Sequence, residues 1–169
     1  TISEPNEELQ INLTAYKQPK ATGLTDGYIQ YKITGGTAKP DKTYNYQWKD
    51  ATGNNLNTQV TDSIVSNGYY LKLKNIGKGV YSLTVTDANY SRTTSNSSCI
   101  ATTEFKMDEP DPLELTVEET KVISCNALNE YGNPYSDGAL TAHAKGGVWL
   151  QTNENNGLPY YYTWKKKTA

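Results

Sequence analysis

Histidine, methionine, phenylalanine and cysteine are nearly missing from this chain. Its 169 residues hold one histidine, His143, one methionine, Met107, one phenylalanine, Phe105, and two cysteines, Cys99 and Cys125. Two cysteines do not build a disulfide scaffold, and these lie too far apart in sequence for a zinc pair. One histidine leaves Ser-His, Cys-His and multi-histidine metal chemistry almost nothing to draw on. Charge of either sign is also sparse. With 16 basic and 18 acidic side chains the net charge is -2, which removes the electrostatic footprint of a nucleic-acid binder and gives no polybasic membrane tether. No apolar run approaches the ~18 residues of a membrane span, so the chain is not expected to cross one, and no signal peptide opens it. It begins at Thr1 rather than methionine, which suggests a mature or internal piece of something longer.

What is present is tyrosine. Only 36% of residues are apolar, yet 11% are aromatic, and 14 of these are Tyr. Disordered chains are poor in aromatic and β-branched residues, so this one is expected to fold, and as strands. It also matches itself in three ordered blocks. Ile2-Ser3-Glu4-Pro5 lines up with Met107-Asp108-Glu109-Pro110, an offset of 105 from Pro5 to Pro110. Alternating apolar residues follow each: Leu9, Ile11 and Leu13, then Leu113, Leu115 and Val117. Asp26 to Gly36 matches Asp137 to Gly147 at an offset of 111, and Tyr44 to Lys49 matches Tyr160 to Lys165 at 116. The offset grows only between blocks, where Gly, Asn and Pro place loops. The chain therefore reads as about one and a half copies of a tandem repeat.

Each block alternates with the period of a half-buried strand. Ile29, Tyr31 and Ile33 share one face; Tyr44, Tyr46 and Trp48 another; Tyr160, Tyr162 and Trp164 a third. Further strands are expected at Tyr69–Leu73, at Val80–Thr86 with Tyr81, Leu83 and Val85 inward, and at Thr103–Met107. No segment carries a sustained helical period. Six or seven short strands in about 105 residues point to an all-β chain of tandem immunoglobulin-like β-sandwiches. Residues 1–4 end a preceding copy, 5–110 form one complete domain, and 111–169 supply the first three strands of a second. Trp48 is then a core tryptophan with Trp164 as its counterpart, and Tyr81 stands where a tyrosine corner belongs. Asn54 to Gly68 reads as a long loop.

The run Gly79-Val80-Tyr81-Ser82-Leu83-Thr84-Val85-Thr86-Asp87-Ala88-Asn89, a following cysteine and the closing Glu109-Pro110 resemble the SprB-type repeat of very large surface adhesins of gliding Bacteroidetes. So do Ser124-Cys125, the Asp-Gly strand, the double glycine and the Tyr-x-Tyr-x-Trp. The resemblance covers most of the chain, and extends more distantly to polycystic-kidney-disease-type modules. It implies type IX secretion, display outside the cell on the outer membrane, and a role in adhesion or gliding without catalysis. Neighbouring repeats, the secretion and gliding machinery and surface polysaccharide are the partners it implies. Two departures stand out: Tyr90 to Ser98 separate Asn89 from Cys99, and the first copy has no cysteine matching Cys125.

Within that frame, Cys99 and Cys125 fall near opposite ends of two sandwiches. A strand of ~8 residues spans about 26 Å, which separates them by roughly 50 Å in an end-to-end array, against about 7 Å for a disulfide. Inter-domain disulfides to residues outside the chain, or thiols, are favoured over a bond between the two. Asp62-Ser63-Ile64 resembles the O-glycosylation pattern of exported Bacteroidetes proteins, with Ser63 the acceptor. Tyr69 and Tyr70 on the Asn54–Tyr70 hairpin, and Tyr161, could stack on sugar rings, although strand tyrosines are more often structural. His143 is placed on an outward strand face. Glu4, Asp108, Glu109 and Asp111 offer oxygen ligands for calcium at the junction of copies, against the plainer reading of an acidic linker. Lys165-Lys166-Lys167 reads as a solvated strand end. No carboxylate pair stands out for hydrolysis, and no catalytic residue or cofactor is assigned.

The functional expectation is an adhesive or structural stalk, with a spacer of a secreted hydrolase or a carbohydrate-binding module as alternatives. The second copy lacks its later strands, which leaves an open edge. Either more chain follows Ala169 or a partner adds the strands.

Overall fold

A computed structural model describes residues 7–66, 68–90, 99–123, 128, 130–133, 137–149 and 158–166. The chain divides into two compact units, Thr1–Pro110 and Asp111–Ala169. The division falls directly behind the second Glu-Pro pair.

The first unit contains β1 (Gln10–Lys17), β2 (Gly27–Thr34), β3 (Asn45–Asp50), β4 (Val60–Val65), β5 (Gly68–Ile76), β6 (Gly79–Thr86) and β7 (Ile100–Met107). All pairings are antiparallel. They form a four-stranded sheet in the order β1-β2-β5-β4 and a three-stranded sheet in the order β3-β6-β7. Alternation along the chain drives this arrangement. Ile29, Tyr31 and Ile33 of β2 are buried, as are Tyr69, Leu71 and Leu73 of β5 and Tyr81, Leu83 and Val85 of β6. Residues from both sheets join in one apolar cluster, so the unit is β-sandwich-like. Trp48 lies inside it at 0% exposure, its ring 5.8 Å from that of Tyr31 across the two sheets.

Two local expectations are corrected. Asn54 to Gly68 is not a loop: a short 3-10 turn at Asn57–Gln59 leads into β4, which pairs with β5 from Val60↔Leu73 to Val65↔Gly68. An acid on this edge strand, Asp62, hides the apolar alternation of Val60 and Ile64. Leu13 does not continue the buried series begun by Leu9: it still pairs with Tyr31 but is 45% exposed on the edge strand β1, and the ladder between β1 and β2 shifts just beyond it, between Leu13 and Ala15. The extra residue, Thr14, donates its hydroxyl to the Gln30 carbonyl at 3.1 Å. A bulge of this kind re-aims the strand, and beyond it Tyr16 packs on Phe105 of β7 at 5.1 Å.

The second unit holds β8 (Glu114–Lys121) and β9 (Ala139–Lys145), paired antiparallel. The third strand expected at Tyr160–Lys165 is not formed. In the first unit, β3 is held by its ladder to β6; among the described residues the second unit has no counterpart of β6. Trp164, expected in a core, is accordingly 57% exposed. It lacks a facing sheet among the described residues.

Candidate functional site

The repeat has a geometric signature that recurs in both units. Gly35 and Gly36 take φ of +72° and +60°, and Gly146 and Gly147 take +76° and +64°, a region open to glycine at little cost. The Gly36 N–H donates to the Glu7 carbonyl at 2.8 Å; the Gly147 N–H donates to the Asp111 carbonyl at 2.7 Å. A Cβ on Gly35 would collide with the Glu8 carbonyl oxygen, and one on Gly146 with that of Pro112. The Tyr44 hydroxyl donates to the Gly35 carbonyl at 2.8 Å, and the Tyr160 hydroxyl to the Gly146 carbonyl at 2.7 Å. Double glycine and tyrosine thus lock the leading segment of each unit against the turn that follows β2 or β9.

In the first unit Asp87 completes the lock. This buried carboxylate accepts the Thr37 N–H on Oδ2 and the Asn89 N–H on Oδ1, both at 2.9 Å. The Asn89 amide donates to the Thr37 hydroxyl at 2.9 Å, and the Ala88 N–H donates to the Thr37 carbonyl at 2.8 Å. The Thr86-Asp87-Ala88-Asn89 segment is therefore a staple between the end of β6 and the loop before β3. Sequence reasoning quoted these residues without finding that role. The signal was an acid two residues after the inward Val85, just past the strand end.

Trp48 is positioned by its backbone, whose N–H donates to Asn57 Oδ1 at 2.8 Å while Asn57 Nδ2 donates to the Tyr46 carbonyl at 3.1 Å. Its own indole Nε1 has no hydrogen-bond partner among the described residues. Tyr81 donates its hydroxyl to the Gly77 carbonyl at 3.0 Å, closing the turn between β5 and β6. Cys99 is buried directly ahead of β7, and its carbonyl accepts the Asp87 N–H at 3.0 Å. Cys125 lies outside the described residues.

Tyr69 and Tyr70 separate. Tyr69 is not a sugar-facing ring: it is 3% exposed, stacked 6.0 Å from Tyr44, with its hydroxyl donating to Asp62 at 2.7 Å. Burial first, then the Asp62 carboxylate, pushes its pKa well above the usual phenol range. The cause of the correction is parity, since Tyr69 shares the inward face with Leu71 and Leu73. Tyr70 stands on the opposite face in register with Ser63 of β4 and Lys32 of β2. Ser63 thus occupies an exposed edge strand rather than a polar loop. Tyr161 is exposed in the second unit.

Two grooves mark the first unit. One of about 510 Å3 lies at the tip of the β4–β5 hairpin, with Ala38, Lys42, Tyr44, Ile64 and Val65 in its wall. The other, about 460 Å3, runs over the outer face of the three-stranded sheet and is lined by amides and hydroxyls, Asn45, Gln47, Thr84 and Thr86, beside Tyr90. In the second unit a groove of about 340 Å3 is walled mainly by apolar side chains of β8, β9 and the tyrosine-rich segment. His143 stands outward on β9 with Nε2 3.0 Å from Glu118.

At the end of the first unit, Glu109 accepts the Gly23 N–H at 2.7 Å and lies 4.0 Å from the Lys78 ammonium. The Thr22 hydroxyl donates to the Pro110 carbonyl at 2.7 Å, and Asp108 pairs with Lys106 at 3.5 Å. Glu109 is thus engaged in a clamp on the departing chain, while Glu4 lies outside the described residues. Among the described residues no group of three or more His, Cys, Asp or Glu side chains is placed to hold a metal ion, and no helix is long and apolar enough to cross a membrane. Protein-family models, curated proteins and solved structures, compared with this chain, give no match.

Proposed function

We propose that the chain is a segment of tandem immunoglobulin-like repeats from a large secreted cell-surface adhesin, acting as a non-catalytic, multivalent stalk in attachment or gliding. The observation that carries this reading is the duplicated lock of double glycine and tyrosine, which supports reading the two units as copies of one module. The first unit's strand order supports the immunoglobulin-like assignment. Four strands β1-β2-β5-β4 face three strands β3-β6-β7, the arrangement of a seven-stranded constant-type domain. The Tyr81 hydroxyl bonded to the Gly77 carbonyl fits the tyrosine corner of such domains.

In a stalk, each domain needs a stiff core and a defined exit. The Trp48-centred cluster supplies the first, and the clamp on Glu109 and Pro110 the second, with proline further limiting the backbone at the junction. Weak contacts repeated along an array add through effective concentration. Export by the type IX route and display on the outer membrane belong to the same reading. Neighbouring repeats are its nearest partners, with surface polysaccharide as the ligand class.

The test is the intact mass of the native polypeptide carrying this sequence, measured under denaturing and reducing conditions. Several hundred kilodaltons is the expected result. A mass near that of these 169 residues alone would overturn the giant-stalk reading.

A further inference from the structure

The second unit presents an apolar face whose counterpart in the first unit is a core. Leu113 and Leu115 correspond to Leu9 and Ile11, Leu140 to Ile29, and Trp164 to Trp48. The first-unit residues are buried or packed against the buried cluster, whereas Leu113, Leu115, Leu140 and Trp164 are 64%, 62%, 58% and 57% exposed. Polar partners are already spent on the other face, where Lys145 pairs with Glu114 and His143 with Glu118, each at 3.0 Å. That face is the solvated one.

The first unit also shows what covers such a face. There β2 is flanked on both edges, by β1 and by β5, and β3 is held by β6. Among the described residues β9, the counterpart of β2, pairs only with β8. We propose that the second unit is a strand acceptor, completed by a polypeptide segment of the same repeat type that carries counterparts of β5, β6 and β7. Its β5 counterpart adds antiparallel to the open edge of β9, a mode of recognition in which backbone hydrogen bonds give affinity and alternate side chains give specificity.

The register follows from the first unit, where Ile29, Tyr31 and Ile33 face Leu73, Leu71 and Tyr69. Leu140, Ala142 and Ala144 take those three places in the second. Ala142 and Ala144 stand where the first unit has Tyr31 and Ile33, so the acceptor has a deeper trough. It selects a segment with bulkier inward residues than β5 through β7 of the first unit, because interiors close to native density tolerate neither voids nor overlap. The inference rests on the repeat and not on the surface-adhesin reading.

The test appends a copy of residues 54–110 to the full chain after Ala169 through a flexible linker. One arm leaves the acceptor unchanged, and the other carries Ala142→Tyr and Ala144→Ile to match the donor. Amide hydrogen exchange over β8 and β9 is the readout, with β2 and β6 as internal references. In the matched arm, protection of β9 is expected to rise about a hundredfold or more over the unextended chain, and in the unmatched arm by less. Replacing the appended copies of Leu71 and Leu83 by Asp is expected to abolish the gain. No gain in either arm, or a gain that survives those Asp substitutions, would overturn the proposal. So would an unextended chain that sediments as a dimer with β8 and β9 already protected, since a second copy would then be the occupant.

Discussion

Asp50 and Asp87 show how much local order single carboxylates impose. Asp50 Oδ1 accepts both the N–H and the hydroxyl of Thr52, at 2.9 and 2.7 Å, and the Asn54 N–H at 3.0 Å. Oδ2 accepts the Asn54 amide at 2.9 Å. These bonds favour the ionised form and lower the pKa from 3.8 to about 2, the Thr52 hydroxyl contributing most. The folded carboxyl then binds its proton less readily than the unfolded one. Its stabilising effect is full above the unfolded value near 3.8 and is lost as pH falls through about 2. A carbon-detected titration of Asp50 is expected to give a midpoint near 2, and Asp50→Asn to flatten the acid limb of the stability curve over that window. Asp87 is buried and accepts two backbone N–H groups, so Asp87→Ala leaves Thr37 and Asn89 donors without their partner. A loss of about 3 kcal/mol is expected in urea unfolding with the m-value unchanged. The role of Asp50 was not legible in the sequence, since Asp in a polar turn has many uses, and Asp87 was marked only by its place two residues after the inward Val85. The fate of Tyr69 was legible, because its parity with Leu71 and Leu73 puts it inward, whereas the pair Tyr69-Tyr70 read as one exposed patch does not.

The strands divide into those that periodicity reveals and those that pairing creates. β2, β5 and β6 carry uninterrupted apolar alternation and were readable as strands, with the inward residues of β2 and β6 named. β4 was not, because Asp62, exposed on the edge strand and accepting the Tyr69 hydroxyl at 2.7 Å, breaks the pattern. The bulge in β1 was equally hidden. Thr14 carries no mark of it in sequence; the misfit arises when β1 is laid on β2. The two kinds of strand are expected to respond differently to truncation. Leu71 sits at 0% exposure on β5, between β2 and β4. Leu71→Ala there removes packing on both sides and is expected to cost about 3–5 kcal/mol. Ile64 on the edge strand β4 is half exposed, and Ile64→Ala is expected to cost about 1 kcal/mol or less. Equilibrium denaturation of the two variants against the parent measures both. Equal losses would mean that β4 is an integral part of the core rather than its edge.

Across the whole chain, the repeat was the most legible feature and its consequence the least. Double glycine and tyrosine are recognisable because each meets a steric or hydrogen-bond demand that recurs in both units, and the tryptophan because it recurs at a matching place in the sequence. A tryptophan, however, marks the place where a core belongs and not whether the covering sheet is there. Trp48 and Trp164 occupy matching positions, one fully buried and one 57% exposed. Energetically they should therefore behave as opposites. The first unit has seven strands in two sheets around one cluster, enough for cooperative unfolding. The second has, among its described residues, one two-stranded ladder, and an isolated pair of this kind is marginal in water. A single cooperative thermal transition is expected, belonging to the first unit. Trp48→Ala removes a buried ring at a cost of about 3–5 kcal/mol, which lowers the midpoint by at least about 12 °C for a domain of this size. Trp164→Ala removes a ring that is mostly in water and is expected to leave the midpoint within about 1 °C. Calorimetry of the two variants decides the matter: a shift on Trp164→Ala comparable to that of Trp48→Ala would mean that the second unit has a core of its own, and that its apolar face is already closed.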